Sequence, residues 1–235
     1  MRASVLGLLP ARGGSKGLPR KNLLRIAGQS LVGVVASELI KSKFITKAAC
    51  STDSDEIAAE ARMAGLHVPF VRPPNLSDDS ATSLQVAKHA LEFYAANSEI
   101  FDYLCLVQAT SPTVKSSDID QAIDLAISTD SDTVITAAPV SNDSDEHPAH
   151  QFFIAADGSV NWIVENQSLF KLPRQSFPPA FVRTGLVYII KTELILKRNT
   201  FYGDKIVPYL INRDRAISID TIEDFEQARA YIENQ

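Results

Sequence analysis

The hydrophobic positions of this chain alternate between two periods. Ser4–Leu9 is a short apolar run that predicts a buried strand. Gln29–Lys41 follows with Leu31, Val34, Val35, Leu39 and Ile40 at helical spacing. Lys47–Cys50 is strand-like. Asp53, with Glu56 three residues on, predicts a capped helix start, and Gly65 predicts its stop. Further along, Leu66–Val71 predicts a strand, Thr82–Ala96 an amphipathic helix, Tyr103–Val107 a strand, Asp118–Ser128 a helix and Thr133–Ala137 a strand. Strand followed by helix, repeated in this way, predicts parallel strands joined by crossover helices, hence an α/β fold with a mostly parallel sheet flanked by helices.

The alternation loosens after Pro139. SNDSDEHPAH is polar and turn-rich, and Gln151–Ile154, Val160–Val164 and Leu186–Ile190 are isolated strand-like pieces around LPRQSFPPAF. A small antiparallel excursion over residues 139–182 is the expectation. It carries Phe152, Phe153, Trp162 and Phe170, apolar residues suited to a dimerisation arm. The α/β pattern returns with a strand at Ala216–Asp220 and closes with a helix from Ile222 to Glu233. No repeat, linker or low-complexity tract interrupts the chain, so residues 1–235 read as a single domain.

Composition narrows the function. The chain has 235 residues, 45% of them hydrophobic, which suits one soluble domain. No apolar run approaches the roughly 18 residues of a membrane span. The N-terminal apolar run is too short for a signal core and leads directly into Pro-Ala-Arg-Gly-Gly, so a cytoplasmic protein is expected. Cys50 and Cys105 sit in apolar runs and read as reduced core thiols. The net charge of -5 argues against general nucleic-acid binding.

Against that acidic background, Arg12, Lys16, Arg20 and Lys21 crowd into LLPARGGSKGLPRKN, residues 8–22, directly after the first strand. Gly13, Gly14 and Gly17 let backbone N–H groups approach a ligand closely, permit positive φ and can form an anion nest. The cations add charge-assisted bonds, and Arg12 can grip a phosphate bidentately. In an open α/β sheet, ligands bind at the carboxyl ends of the strands, where this loop lies. The chemistry fits a polyphosphate. The spacing is neither that of a P-loop nor G-x-G-x-x-G. There is no Ser/His/Asp or Cys/His set, and His67, His89, His147 and His150 lack metal-ligand spacing.

PARGGSKGLPRKN resembles the signature loop of the acylneuraminate cytidylyltransferases, the CMP-sialic acid synthetase type, which make CMP-activated sialic acids from CTP. The likeness continues in order through CSTDSDEIA (50–58), RPPNLSDDSATS (72–83) with HALE (89–92), LVQATSP (106–112), DEHP (145–148), PRQSFPPAF (173–181), RTGLVYI (183–189) and SIDTIEDF (218–225). It implies a Rossmann-like nucleotidyltransferase fold and a homodimer formed through the antiparallel excursion. The related 3-deoxy-manno-octulosonate (Kdo) transferases share that fold, but their first loop lacks the Gly-Gly-Ser-Lys-Gly run.

The same resemblance implies site residues. Ala11, Arg12, Gly13, Lys16, Lys21 and Asn22 fall on the nucleotide-binding loop. Arg12, Lys16 and Lys21 would bind the triphosphate, Lys21 at the α-phosphate. Arg72, Ala81 and Ser83 match positions for cytosine and ribose. Gln108, Arg174, Gln175, Phe181 and Tyr188 match the sugar pocket, although Tyr188 also alternates within an apolar strand as a core residue would. Asp220 matches a ligand for Mg²⁺ or Mn²⁺, and it also stands where the last helix needs an N-cap. The reaction expected is attack by the anomeric hydroxyl of a nine-carbon acid sugar on the α-phosphorus of CTP, with release of pyrophosphate. Such chemistry needs charge neutralisation and in-line positioning more than covalent help.

The chain departs from the family pattern at four positions. Ser218 replaces an aspartate of the metal strand, removing one charge. Thr184 replaces an asparagine and loses its amide donors. His150 replaces a lysine near the sugar. Ala109 replaces a proline beside Gln108. Most of these changes fall on the sugar or metal side. They leave open a sialic, legionaminic, pseudaminic or octulosonic acid as substrate, and also a nucleotide-binding paralogue with little catalysis.

Overall fold

The computed structural model describes residues 3–14, 17–165, 169 and 171–235, and in it Val5–Pro10 forms β1. Leu6 and Leu8 pack into one buried cluster while Val5 and Leu9 pack into another. A strand with apolar neighbours on both faces reads as an unbroken apolar run, which is why its pattern does not alternate. A two-residue hairpin, β2 (Arg25–Ile26) and β3 (Gln29–Ser30), leads into α1 (Leu31–Lys41). The helix therefore begins two residues later than its periodicity predicts. Ser30 is its N-cap and accepts from the Gly33 N–H. Then come β4 (Lys47–Ser51), α2 (Asp55–Met63), α3 (Ser83–Ala96), β5 (Tyr103–Leu106), α4 (Ser116–Ser128) and β6 (Thr133–Val140).

The C-terminal third is less regular. β7 (Phe152–Ile154) and β8 (Val160–Trp162) make an isolated antiparallel hairpin. β9 (Ala180–Lys191), α5 (Thr192–Arg198), β10 (Ile206–Leu210) and α6 (Ile222–Glu233) complete the chain. The main sheet has the order β10-β6-β9-β5-β1-β4. β9 is antiparallel to both β5 and β6, while β1, β4 and β5 pair in parallel, as do β6 and β10. The sheet is thus mostly parallel, and the segment 186–190 is no isolated piece. It lies within a long strand that inserts at the sheet's middle, with Leu186, Val187, Ile189 and Ile190 buried.

Three further expectations are corrected. The cap of α2 is Ser54, whose hydroxyl accepts from the Ile57 N–H, and Asp53 is left outside the helix. Leu66–Val71 makes only isolated bridges, Ala49 to His67 and Thr52 to Val71. Ala216–Asp220 is extended but joins no ladder; the Ile219 N–H donates to the Thr110 carbonyl at 2.8 Å. Gly65 does end α2, at φ +95°, a conformation that costs glycine little.

β1 pairs with β4 on one side and β5 on the other; the crossover after β1 runs to β4, while that after β5 runs the other way to β6, so the direction reverses between β1 and β5. A sheet of this kind opens a crevice at its strands' carboxyl ends at that reversal point. A third cluster, Ile26, Leu31, Ile217, Ile219, Phe225 and Ala228, fastens α6 and the 216–220 segment beside it.

Candidate active site

The loop after β1 is braced from three sides. The Ala11 N–H donates to the Ser51 carbonyl at 3.0 Å. The Gly13 N–H donates to Asp53 Oδ1 at 2.9 Å, and the Asn22 amide donates to the Arg12 carbonyl at 2.9 Å. None of the loop glycines has a positive φ among the described residues; the left-handed residue here is Arg20, at φ 56°. Gly17 is needed for a different reason. A Cβ there would lie 3.0 Å from the Asp220 carbonyl oxygen, a backbone atom that cannot step aside. Lys16 lies outside the described residues, as does Phe170 of the 139–182 excursion.

That close approach brings the two ends of the chain together. The Lys21 ammonium donates to the Ile219 carbonyl at 2.8 Å and to Asp220 Oδ1 at 2.9 Å. The cap of α6 is Thr221, whose hydroxyl accepts from the Asp224 N–H, while Asp224 Oδ2 accepts from the Asp220 and Thr221 N–H groups. These backbone donors hold the Asp224 carboxyl below its usual range. The Asp220 side chain is therefore not used as the cap and stays at the cleft.

The cleft between the β1 and β5 ends measures about 450 Å³. Arg12, Lys21, Asn22 and Arg72 line it with Asp220, and Ala11, Ala81, Ser83 and Gln108 complete the predicted residues that reach it. Gly13 lies just behind, beside Ser54 and Asn22. Arg12 is paired with Asp79 at 2.9 Å. Arg72 is 4% exposed, and its Nε–H donates to Ser77 Oγ at 3.2 Å. Its Nη2 stands 3.6 Å from Asp53 Oδ1, beyond hydrogen-bond reach, and no described residue bonds it. Burial lowers the Arg72 pKa, and the Asp53 charge opposes that shift. A buried guanidinium with an unbonded nitrogen is costly unless a ligand completes it.

A second cavity of about 370 Å³ adjoins the first, and Ser83 and Gln108 line both. Tyr188 lies in it, its phenol pushed above its usual pKa by burial. So do Arg183, Phe201 and Tyr202, which sequence reasoning did not single out. The Arg183 guanidinium donates to the Tyr202 hydroxyl and sits 5.9 Å from that ring's centre. RTGLVYI held the arginine in plain view; its pairing with a tyrosine 19 residues on required the fold.

Other predicted sugar-side residues are elsewhere. Thr184 is buried and donates to the Thr136 hydroxyl at 2.8 Å. His150 packs beside His147 and Phe177, with a buried Nε2 that no described residue bonds. Arg174 and Gln175 are exposed on a short 3₁₀ turn, and Phe181 is exposed on β9. None of these five lines either cavity.

Buried Ile217 and Ile219 alternate with exposed Ser218 and Asp220, so the latter two share an outward direction. Only Asp220 reaches the cleft, and no group of three or more metal-ligating side chains gathers among the described residues. Asp78 and Asp79 also line the cleft, and Asp79 is taken up by Arg12, so Asp220 beside Lys21 is the carboxylate that suits an ion such as Mg²⁺ arriving on a triphosphate and keeping most of its other oxygen ligands.

Comparison with known proteins agrees with this geometry. The cytidylyltransferase family model matches residues 6–235. The chain is 28% identical over 224 residues to a pseudaminic acid cytidylyltransferase of Campylobacter jejuni, covering 95% of this chain and 94% of that one. It is 28% identical over 218 residues to a CMP-N,N'-diacetyllegionaminic acid synthase of Legionella pneumophila, covering 92% and 91%. It is 30% identical over 220 residues to an N-acylneuraminate cytidylyltransferase of Streptococcus agalactiae, covering 93% of this chain and 51% of that longer protein. In fold it is similar to a CMP:2-keto-3-deoxy-manno-octonic acid synthetase solved with CTP, at a TM-score of 0.74 and 13% identity, with 99% of each chain covered. A phosphate-type loop at the reversal point of a mostly parallel sheet, and a family match across nearly the whole length, place this chain in the cytidylyltransferase family.

Proposed function

We propose that this protein condenses CTP with a nine-carbon 2-keto acid sugar of the sialic, legionaminic or pseudaminic type, giving a CMP-sugar and pyrophosphate. The observation that carries this reading is the adjacency of the two cavities. A cleft lined by Arg12, Lys21 and Arg72 shares Ser83 and Gln108 with a second chamber that has its own arginine, Arg183. One chamber suits a polyanionic nucleotide and the other a carboxylated sugar. The relatives named for pseudaminic, legionaminic and N-acylneuraminic acids support that sugar class.

In this reading Arg12 binds the β- and γ-phosphates and Lys21 the α-phosphate, where charge grows as the anomeric oxygen attacks and pyrophosphate leaves. Arg72 spends its unbonded Nη2 on the cytidine. Gln108 stands between the chambers, beside the reacting atoms, while Tyr188 and Arg183 hold the sugar. Asp220 would hold a Mg²⁺ or Mn²⁺ ion, which would supply charge neutralisation on the triphosphate. Lys21 leaves Asp220 for the α-phosphate when nucleotide binds.

The β7–β8 hairpin fits a homodimer. Phe153 is 69% and Ile154 72% exposed, and Phe152, Val160 and Trp162 lie on the same small sheet. Apolar surface of this kind is normally covered by another chain. Exchange of the 139–182 arm would carry Arg174, Gln175 and His150 to the neighbouring subunit's sugar chamber. Light scattering that reads a monomer would contradict this. A cytoplasmic location fits the supply of CTP and the buried free thiols Cys50 and Cys105. The activity is tested by pyrophosphate release from CTP with a divalent cation and a panel of sialic, legionaminic, pseudaminic and octulosonic acids. Turnover confined to nine-carbon acids is expected; CTP binding without turnover of any acid would identify a paralogue that binds nucleotide only.

A further inference from the structure

Asp53 stands just past the carboxyl end of β4, one residue before the Ser54 cap of α2. A helix start explains neither of its contacts. Oδ1 accepts from the Gly13 N–H at 2.9 Å, and the same oxygen lies 3.6 Å from Arg72 Nη2. Gly13 belongs to the loop that carries Arg12 and leads to Lys21. Arg72 comes from the stretch after α2, and its backbone N–H is tied to the Thr52 carbonyl at 2.8 Å. One carboxylate oxygen thus lies between the loop after β1 and the guanidinium of Arg72.

Arg72 shows why this matters. Its guanidinium is held at Nε by Ser77, and Ser77 is itself held to the Pro73 carbonyl at 3.0 Å. Asp53 is the counter-charge on its other side. A guanidinium bonded at Nε and facing a carboxylate at Nη2 is biased towards one orientation of its planar fork. Gly13 is similarly confined, since a Cβ there would meet the Ser54 Cβ at 3.1 Å. Displacing Asp53 would remove one of the loop's three braces and the arginine's counter-charge together.

We propose that Asp53 is a positioning residue for nucleotide binding, fixing the triphosphate loop through the Gly13 N–H and the base-side arginine through its charge. The proposal rests on the reading of the cleft as a CTP site. Asp53 touches no substrate; it acts through Gly13 and Arg72.

The test reads CTP binding by calorimetry in the absence of sugar, for the wild type, Asp53→Asn and Asp53→Ala, with thermal melting of each. The asparagine keeps an acceptor for Gly13 and removes the charge facing Arg72; alanine removes both. Expected is a CTP Kd weakened about tenfold in Asp53→Asn and further in Asp53→Ala, with the melting temperature of Asp53→Asn and its KM for the acid sugar nearly unchanged. In an Arg72→Gln background the Asp53→Asn loss should shrink to within about twofold, because its route is gone. Unchanged or tighter CTP binding in Asp53→Asn would overturn the proposal, since a carboxylate that merely repels the triphosphate would give tighter binding. So would a full Asp53→Asn loss in the Arg72→Gln background. If the wild type binds CTP but turns over no acid sugar, the functional reading fails while this binding test still decides the role of Asp53. If the wild type binds no CTP, both fall.

Discussion

Lys21 and Asp220 lie 199 positions apart in the chain and meet at 2.9 Å, the ammonium of one on the carboxylate of the other. Lys21 is largely buried, whereas the Asp220 side chain is 75% exposed. The exposed partner is solvated and contributes little to stability. The pair therefore marks where a cation waits more than it holds the fold together. In the proposed reading an α-phosphate would take Asp220's place on the lysine, and a divalent ion would take the lysine's place on Asp220.

Replacing Lys21 removes the charge aimed at the developing negative charge. Lys21→Ala should lower kcat by about 100- to 1,000-fold, the range seen when one such stabilising donor is lost. Circular dichroism and melting should stay near wild type. Near-wild-type turnover would show that the phosphate loop has been misassigned.

Arg12 is held by Asp79 at 2.9 Å, with both side chains partly exposed. In the proposed reading nucleotide displaces that carboxylate. Asp79→Asn should tighten CTP binding by about two- to fivefold, the size of a surface ion pair, and the gain should fade as salt is raised. Calorimetry at two ionic strengths reads this directly; weaker binding in the variant would mean that Asp79 helps hold the nucleotide.

Arg183, hydrogen-bonded to the Tyr202 hydroxyl, is the cation of the second chamber. Arg183→Ala should raise KM for the acid sugar by about tenfold or more while leaving KM for CTP near its wild-type value. An equal rise in both would place Arg183 outside the sugar site.

Alkaline pH should weaken the fold. Burial pushes the Cys50 thiol from 9.0 up to about 12, and burial likewise pushes the Tyr94 and Tyr209 phenols from 10.0 to about 12. These groups keep their protons longer in the folded state than in the unfolded one. Their contribution is complete below pH 9 and declines as pH rises towards about 12. Denaturant titrations across that window should show falling stability, and Cys50 should resist alkylation until the protein unfolds.

Much of this was legible in the sequence for local reasons. The apolar run of β1 and the cationic glycine loop after it need only adjacent residues to be read. So do the Gly65 stop and the Thr82 start of α3. What was missed depends on distant contacts. Ala216–Asp220 has a strand's alternation, yet burial of Ile217 and Ile219 against Ile26 and α6 accounts for it without a ladder. Leu186–Ile190 looked isolated because the rest of β9 carries exposed residues where it leaves the core. Asp53 and Ser54 are both good caps, and only geometry shows that the serine takes the helix and the aspartate takes the Gly13 N–H.

The central claim is that two adjoining chambers join a cytidine triphosphate to an acid sugar. It is tested most directly by pyrophosphate release with CTP, Mg²⁺ and each acid of the nine-carbon and octulosonic panel, repeated with chelator. The account predicts release with at least one nine-carbon acid, abolished by chelator and by Lys21→Ala. No release with any acid from protein that binds CTP would contradict it.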